Sequence, residues 1–231
     1  SDTEACLNPK NYHIPNDITK QHPSLRGIIN SDEFDFPTQA LNRMRKSGYH
    51  EDKGLKLYWQ WNHNPIDEAW SLLDRPGYLR LKTARVVDNI NVAPNTITQR
   101  IGGPQCTGSV CIDVANMKDG DRCGLAAYNG DSGVLRVVKR GNKLYLQLTE
   151  ENVVLNDNKE VEKVDETVIE EVALKLKKTK AADTKKPQQL IYLKLHADFN
   201  DGRDLASFAY STDGTNWKNI GRDIKMIFDY R

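Results

Sequence analysis

The residues best suited to bind a ligand form one aromatic and polar cluster in the first half of the chain. Trp59, Trp61 and Trp70 lie within residues 58–82, although the whole chain has only 4 tryptophans. Indole rings offer flat apolar faces that can stack on the C–H groups of a sugar. The segment Asn62–Asn64 adds hydrogen-bond donors and acceptors beside these rings. Trp61, His63, Asn64 and Trp70 are therefore candidates for a carbohydrate-binding surface or for a surface that faces a neighbouring domain.

The same cluster also has a structural interpretation. In a strand, Trp59 and Trp61 share one face, so both can belong to a core while Asn and His side chains satisfy the backbone of a turn. Core packing is favoured for at least one tryptophan. For His63 and Asn64 both interpretations stay open, because His-Asn-Pro indicates a loop and polar groups on loops often serve function.

Two features of the sequence could indicate catalysis, a Gly-Asp-Ser-Gly motif and the many carboxylates. Gly130–Gly133 spells Gly-Asp-Ser-Gly, which surrounds the nucleophile of trypsin-like proteases, but such an enzyme also needs a His base and an orienting Asp. No matching histidine motif occurs, so the motif predicts a hairpin turn. Glycoside hydrolysis needs two carboxylates about 5 to 10 Å apart. The chain has 32 acidic residues and no spacing singles out a pair, so we assign no catalytic residue.

The composition argues against several classes of function. The 33 basic and 32 acidic residues leave a net charge of +1, which argues against a nucleic-acid partner because such proteins carry a basic surface. No run of 18 apolar residues occurs, so the sequence predicts no membrane-spanning helix. The polar start at Ser1 suits a mature or excised chain. The 4 cysteines lack Cys-x-x-Cys spacing, so buried free thiols are favoured over disulfides or zinc.

The elements that must position the cluster are strands. Val110–Val114, Leu144–Leu148, Ile191–Asp198 and Leu205–Ser211 alternate apolar and other residues with a period of two. Gly and Asp residues between these runs, for example at Asn129–Asp131 and Thr212–Thr215, favour hairpin turns. A turn at Arg75–Gly77 and a short strand at Tyr78–Lys82 follow the cluster. Many short strands with regular turns predict an all-β sandwich or barrel.

Three segments depart from this pattern. Residues 1–30 contain three prolines and little periodicity, so we expect an N-terminal arm or linker before a sandwich at residues 31–231. Thr38–Lys53 is basic and polar and predicts a loop with a short helix. In Asn156–Gln189, the valines Val161, Val164, Val168 and Val172 predict strand, whereas the lysine-rich Lys175–Lys186 predicts a mobile, solvated loop.

Several ordered motifs resemble one known domain family. Ser31–Pro37, Trp59–Pro65, Arg75–Thr83, Asn95–Arg100, Val114–Gly133, Ile191–Phe199 and Phe208–Gly221 follow one another as in the C-terminal concanavalin-like β-sandwich domain of family 43 glycoside hydrolases. This group contains β-xylosidases and α-L-arabinofuranosidases. The resemblance implies an all-β fold of two antiparallel sheets with jelly-roll topology. The family pattern continues past Arg231 with two further strands. Either these strands follow in a longer chain, or the sandwich lacks them and leaves an edge open or recruits a partner strand.

The resemblance also implies a function and its partners. Family 43 catalysis resides in a propeller that this chain does not contain, so the chain is expected to be a non-catalytic module that braces the catalytic propeller and its pocket rim. The parent would degrade xylan or arabinoxylan outside the cell or in the periplasm. A freestanding carbohydrate-binding module for plant cell-wall oligosaccharides is the alternative.

Two further candidate sites follow from the family. In related β-xylosidases a loop corresponding to Val87–Asn95 reaches toward the propeller with an aromatic residue, but here no aromatic lies between Val87 and Arg100 and Pro94 replaces a frequent Arg. Asn95, Gln99 and Arg100 match and are candidates for the interface. Related sandwiches often hold one structural calcium ion, and Asp32, Glu33 and Asp35 could supply hard oxygen ligands. We expect no other cofactor.

Overall fold

The computed structural model describes residues 31–35, 55–56, 58–180 and 187–227. In these residues the regular structure consists of short 3₁₀ turns (Asp67–Ala69, Ile90–Val92 and Asn200–Gly202) and strands. The strands are β1 (Gln60–Trp61), β2 (Trp70–Ser71), β3 (Arg80–Leu81), β4 (Ile97–Thr98), β5 (Gln105–Asp113), β6 (Arg122–Asn129), β7 (Asp131–Arg140), β8 (Lys143–Leu155), β9 (Val161–Leu174), β10 (Thr179–Lys180), β11 (Pro187–Gln188), β12 (Leu190–Asp198), β13 (Leu205–Ser211), β14 (Lys218–Asn219) and β15 (Ile224–Lys225). Among the described residues, no helix is long and apolar enough to cross a lipid bilayer.

Contacts divide the chain into two units. The larger unit contains residues 59–70 and 81–231, and the smaller one contains residues 1–58 and 71–80. Within the smaller unit, the expected turn is present: Tyr78 N–H donates to Arg75 O at 3.1 Å, and Gly77 has φ +80°. The Arg75 guanidinium lies 3.6 Å from the centroid of the Tyr78 ring, which adds a cation–π contact across the turn.

The larger unit contains a four-stranded antiparallel sheet in the order β6-β7-β8-β9. Its first hairpin pairs Asn129 with Asp131 around Gly130, which has φ +72°. Its second pairs Arg140 with Lys143, and Gly141 has φ +55°. Glycine fits these positive-φ positions without the clash that a side chain would bring. The hairpin-turn interpretation of Gly-Asp-Ser-Gly is thereby confirmed.

A second antiparallel sheet contains β5, β12, β13, β14 and β15. β12 lies in its middle, where Ile191 faces Ile112 of β5 and Leu195 faces Phe208 of β13. The alternation read from the sequence is confirmed along β12, in which Ile191, Leu193, Leu195 and Ala197 are buried in turn. β5 and β12 are far apart in sequence, so their pairing is set by the tertiary fold, whereas β12 and β13 are consecutive strands.

The core lies between the two sheets and is lined by the apolar face of each. Its buried members from β6, β7 and β8 are Ala127, Leu135, Val137, Leu146 and Leu148. Those from the second sheet and its neighbouring segments are Val114, Ile191, Leu193, Leu195, Ala197, Ala206, Phe208, Tyr210, Ile220 and Ile224. This arrangement confirms the predicted all-β fold with antiparallel sheets.

The other face of the four-stranded sheet is unexpectedly polar and buried. Arg136, Gln147, Thr149 and Glu151 are each at most 5% exposed, although all four carry hydrogen-bonding or charged groups. The register places Arg136 opposite Gln147 and Ser132 opposite Glu151. Burial of such groups is tolerated only where they are paired.

Of the other predicted segments, one strand is confirmed, one was predicted too long, and three segments lie outside the described residues. β9 confirms the strand through Val161, Val164, Val168 and Val172, and its pairing with β8 shifts register at two places, Leu148/Thr149 and Val154/Leu155. The predicted strand Tyr78–Lys82 was too long, since only Arg80–Leu81 forms β3. Residues 1–30, Thr38–Lys53 and residues 181–186 lie outside the described residues.

Candidate functional site around His63 and Asn91

A short two-stranded ladder brings the tryptophan cluster together with the Asn95–Arg100 motif. β1 pairs antiparallel with β4, so that Trp61 lies opposite Ile97 and Gln60 opposite Thr98. Asn62 N–H donates to Thr96 O at 2.9 Å and extends the ladder by one step. The sequence singled out both segments, and the tertiary fold makes them neighbours.

The tryptophans of the cluster differ in burial. Trp70 is only 4% exposed, and its Nε1 donates to Asp67 Oδ1 at 3.2 Å. Trp61 and Trp59 are half-buried. The Trp61 and Trp70 rings lie 5.0 Å apart, centroid to centroid, at an interplanar angle of 57°. This tilted contact is typical of packed aromatic pairs. Trp70 therefore serves as a core residue, while Trp61 retains an accessible part.

His63 is exposed but held in place by its imidazole. Its Nε2 lies 2.6 Å from the backbone oxygen of Asn91, and since a carbonyl can only accept, His63 carries the proton on Nε2. Asn62 Nδ2 donates to the same oxygen at 3.5 Å. Asn91 belongs to the 3₁₀ turn Ile90–Val92, which is capped by Asn89 Oδ1 accepting from Asn91 N–H at 3.0 Å.

Two further hydrogen bonds connect the segment Asn62–Asn64 and the turn Ile90–Val92 to the hairpin around Gly130. The Asn91 side chain donates from Nδ2 to Gly130 O at 3.3 Å. Tyr128, on β6, donates its hydroxyl to Asn62 Oδ1 at 3.0 Å, and burial raises the pKa of this phenol. The Gly-Asp-Ser-Gly hairpin thus takes part in the site through its backbone. Its Ser132 is 3% exposed and donates to Gly130 O, which is a structural role.

Asn95 has a structural role, because its side chain binds the backbone of Ile66 through two hydrogen bonds. It is 6% exposed and has φ +59°, a left-handed conformation that asparagine tolerates better than most residues. Its Oδ1 accepts from Ile66 N–H at 2.8 Å, and its Nδ2 donates to Ile66 O at 3.2 Å. Among the other candidates, Asn64 and Arg100 are exposed and Gln99 is half-buried. Their role in binding stays a prediction.

The sequence did not single out the charged pair beneath this site. Glu151 has no exposure, and its Oε1 lies 3.3 Å from Arg136 Nη1, while Oε2 accepts from Ile90 N–H at 3.2 Å. Arg136 Nη2 also lies 2.5 Å from Glu166 Oε1. Burial raises the pKa of Glu151, and the Ile90 N–H and Arg136 act in the opposite direction. The only sequence signal was that Arg136 interrupts the apolar run Val134–Lys139.

Among the described residues, no three His, Cys, Asp or Glu side chains lie close enough together to bind a metal ion. Asp32 lies 3.0 Å from Lys56 Nζ, and its Oδ1 also accepts from Phe34 N–H at 2.9 Å. Calcium at Asp32, Glu33 and Asp35 stays a prediction. Cys111 is exposed, which corrects the expectation that the cysteine thiols are buried, whereas Cys106 and Cys123 are half-buried.

A comparison with protein families matches residues 49–230 to the β-xylosidase C-terminal concanavalin A-like domain. Among curated proteins, a β-xylosidase of Formosa agariphila is 36% identical over 104 residues, which cover 36% of this chain and 18% of that protein. The chain spans less than a fifth of the length of the curated relatives it matches.

Solved structures agree with this match. A bifunctional GH43-CE protein of Bacteroides eggerthii is 37% identical, with a TM-score of 0.67, over 87% of this chain and 22% of that one. A GH43 glycoside hydrolase engineered to display endo-xylanase and exo-arabinofuranosidase activity is 26% identical, with a TM-score of 0.66, over 88% and 36% of the two chains.

Proposed function

Because the chain belongs to the family of β-xylosidase C-terminal concanavalin A-like domains, we propose that it is the non-catalytic module of a xylan- or arabinoxylan-degrading family 43-type glycoside hydrolase. In this proposal it braces the catalytic propeller of the same polypeptide and supports the rim of its pocket. The parent acts outside the cell or in the periplasm, where its plant polysaccharide substrate is found. The chain spans 22% and 36% of the two solved GH43 proteins, which leaves room for a separate catalytic domain.

The observation that carries the proposal is the position of exposed apolar side chains. Of the large hydrophobic residues exposed in the described part of the chain, most lie in one stretch of sequence: Ile66 (36%), Leu81 (50%), Val86 (95%), Val92 (45%) and Ile101 (40%). We call these five the docking side chains. Single exposed apolar residues are ordinary, whereas a contiguous exposed apolar patch indicates a surface that another protein covers, and in our proposal these five side chains contribute to such a patch.

Asn91 lies within the same stretch and His63 lies just before it, so candidate polar and apolar contacts for a partner come from neighbouring segments. Burial of a valine or leucine side chain contributes roughly 1.5 to 3 kcal/mol. A partner domain that covers several docking side chains would therefore gain substantial affinity. Binding of a sugar from water would give no reason for Val86 to be 95% exposed.

The test measures docking directly. The catalytic domain of the parent and this chain are produced separately, and their association is followed by calorimetric titration. We expect saturable binding that Val86→Asp and Val92→Asp each weaken by roughly tenfold or more, since each change places a charge where an apolar contact forms. Val161→Asp is the matched control, because Val161 is 58% exposed but lies on β9. Absence of binding, or equal losses in all three variants, would overturn the proposal.

A freestanding carbohydrate-binding module is the second candidate, and the accessible part of Trp61 beside exposed His63 favours it. Titration of the chain with xylo- and arabino-oligosaccharides separates the two candidates. Saturable binding lost in Trp61→Ala or His63→Ala, with folding intact, would support sugar recognition. No heat up to millimolar oligosaccharide would leave docking as the function of this surface.

A further inference from the structure

Glu151 is an unusual residue to find in the middle of a sheet. It lies on β8 with no solvent exposure, and a buried carboxylate is costly unless charges and hydrogen bonds compensate for the lost water. Its neighbour Glu150 shows the ordinary arrangement, with a 22% exposed side chain 2.6 Å from Arg222 Nη2. A side chain such as leucine would fill a buried sheet position at lower cost, so the carboxylate calls for a specific explanation.

The two oxygens of Glu151 point to different partners. Oε1 lies 3.3 Å from Arg136 Nη1, on the neighbouring strand β7. Oε2 accepts from the backbone N–H of Ile90 at 3.2 Å, across 61 residues of sequence. One carboxylate therefore connects the rigid sheet with the first residue of the 3₁₀ turn Ile90–Val92.

Arg136 keeps this carboxylate in place from the side of the sheet. Its side chain is 7% exposed, and its guanidinium lies 2.5 Å from Glu166 on β9 as well as 3.3 Å from Glu151. Arg122 completes the charges in this region, 3.4 Å from Glu166 and 50% exposed. The four groups carry two positive and two negative charges, so the cluster is balanced when both glutamates are ionised.

The turn that Glu151 holds supports the rest of the site. Asn91 O accepts from His63 Nε2 at 2.6 Å, and Asn91 Nδ2 donates to Gly130 O at 3.3 Å. Val92, one of the docking side chains, follows at once, and its carbonyl accepts from Arg85 Nη2 at 3.1 Å. Displacement of the turn would therefore move His63, Val92 and Arg85 together.

We propose that Glu151 is a positioning residue, which anchors the Ile90–Val92 turn to the sheet so that Val92 and His63 are presented in one fixed arrangement to the catalytic domain. The presentation to a partner rests on the proposed docking function. The anchoring itself concerns this chain alone and can be measured without any partner. A fixed arrangement lowers the conformational entropy that a loop loses on binding, which is how such an anchor would raise affinity.

Amide hydrogen exchange on the isolated chain tests the anchor. In Glu151→Ala we expect the amides of Ile90 and Ala93 to exchange at least tenfold faster, while those of Leu135 and Leu148 in the sheet keep their rates. Glu151→Gln retains an acceptor for Ile90 N–H and should restore most of the protection. A residue that only stabilises the fold would accelerate all amides alike, and this outcome would overturn the proposal.

A second variant removes the donor and leaves the charge cluster intact. Ile90→Pro deletes the N–H at the first position of the turn, where proline is tolerated, and the preceding Asn89 is extended, with φ −146° and ψ 169°, as proline requires. It should match Glu151→Ala in the faster exchange at Ala93. Glu150→Ala is the control and should leave the turn unchanged. If Ile90→Pro leaves Ala93 exchange unchanged, the anchor is wrong even where Glu151→Ala fails to fold.

Binding of each variant to the separate catalytic domain then tests whether the anchored turn presents Val92 and His63 to that domain. Glu151→Ala and Ile90→Pro should weaken binding about tenfold, with Glu150→Ala at the wild-type value. If the wild-type chain does not bind the domain, the docking function fails, and hydrogen exchange still decides the anchor. If the turn loosens and binding is unchanged, the positioning role is overturned while docking stands.

Discussion

The indole rings of Trp61 and Trp70 pack against each other at 5.0 Å, but only Trp70, at 4% exposure, is enclosed by the protein. We expect Trp70→Ala to lower the free energy of unfolding by about 3–5 kcal/mol, the range for loss of a buried aromatic side chain. Trp61→Ala should cost clearly less, because part of its ring remains in solvent. Urea unfolding followed by circular dichroism measures both. Equal losses would mean that Trp61 is a core residue too.

The second glycine of Gly-Asp-Ser-Gly is closely packed between the sheets. A Cβ on Gly133 would lie 2.9 Å from Ile224 Cδ1 and 3.0 Å from Phe208 Cζ. Gly133→Ala should therefore destabilise the chain by about 1–3 kcal/mol, as overpacked cores do. Thermal unfolding provides the measurement.

Gly108, in the strand β5, is the matched control for Gly133. A Cβ there meets nothing within 4 Å, and the residue is free of the positive φ that would strain alanine. Gly108→Ala should leave stability unchanged or raise it by about 0.4–1 kcal/mol, since alanine restricts the unfolded chain. Destabilisation of both variants to the same extent would contradict the packing explanation.

The buried Glu151 predicts a pH dependence of stability. Because burial raises its pKa above the ordinary 4.5, the folded chain binds its proton more tightly than the unfolded chain does. The resulting stabilisation is fully present below pH 4.5 and is lost as the pH rises through the raised value. The free energy of unfolding of wild type, relative to Glu151→Gln, should thus fall as the pH increases above 4.5. Urea titrations at a series of pH values measure it.

Glu171 supplies a control of opposite sign for this titration. The Arg140 guanidinium, with Gln147, lowers the pKa of Glu171 below 4.5. Its contribution to stability is present above pH 4.5 and is lost as the pH falls. The difference between wild type and Glu171→Gln should therefore rise with pH, by a small amount because both partners are partly exposed. A Glu151 difference that rises in the same way would contradict the burial argument.

The described cysteines should differ in reactivity. Cys111 is exposed, whereas burial raises the pKa of Cys123 to about 12 and keeps its thiol protonated at neutral pH. Since the thiolate is the nucleophile, iodoacetamide should label Cys111 at least tenfold faster than Cys123. Peptide mapping by mass spectrometry after timed quenching distinguishes the two sites. Loss of the difference in denaturant, where both thiols are exposed, provides the control, and equal rates in the native chain would contradict the prediction.

The fold class and the family follow from the sequence alone. Period-two alternation in Ile191–Asp198 fixes which side chains can face a core, because side chains of a strand alternate between its two faces. Glycine at positions 130 and 141 marks hairpins, because only a residue without a side chain enters positive φ at no cost. The ends of the strands do not follow from the pattern, as the shortened Arg80–Leu81 strand shows, because exposed Leu81 carries the same local signal as a buried leucine.

The arrangement of the site depends on contacts between distant parts of the chain. Sequence pattern could mark His63 and Asn95 as polar loop residues, but the partner of each lies 28 or 29 residues away. Arg136 and Glu151 were harder still, because charged residues in strands usually face solvent, and these two are buried only because the second face of the sheet is covered. Periodicity assigns a residue to a face of a strand. What lies on that face depends on long-range contacts, which no local pattern encodes.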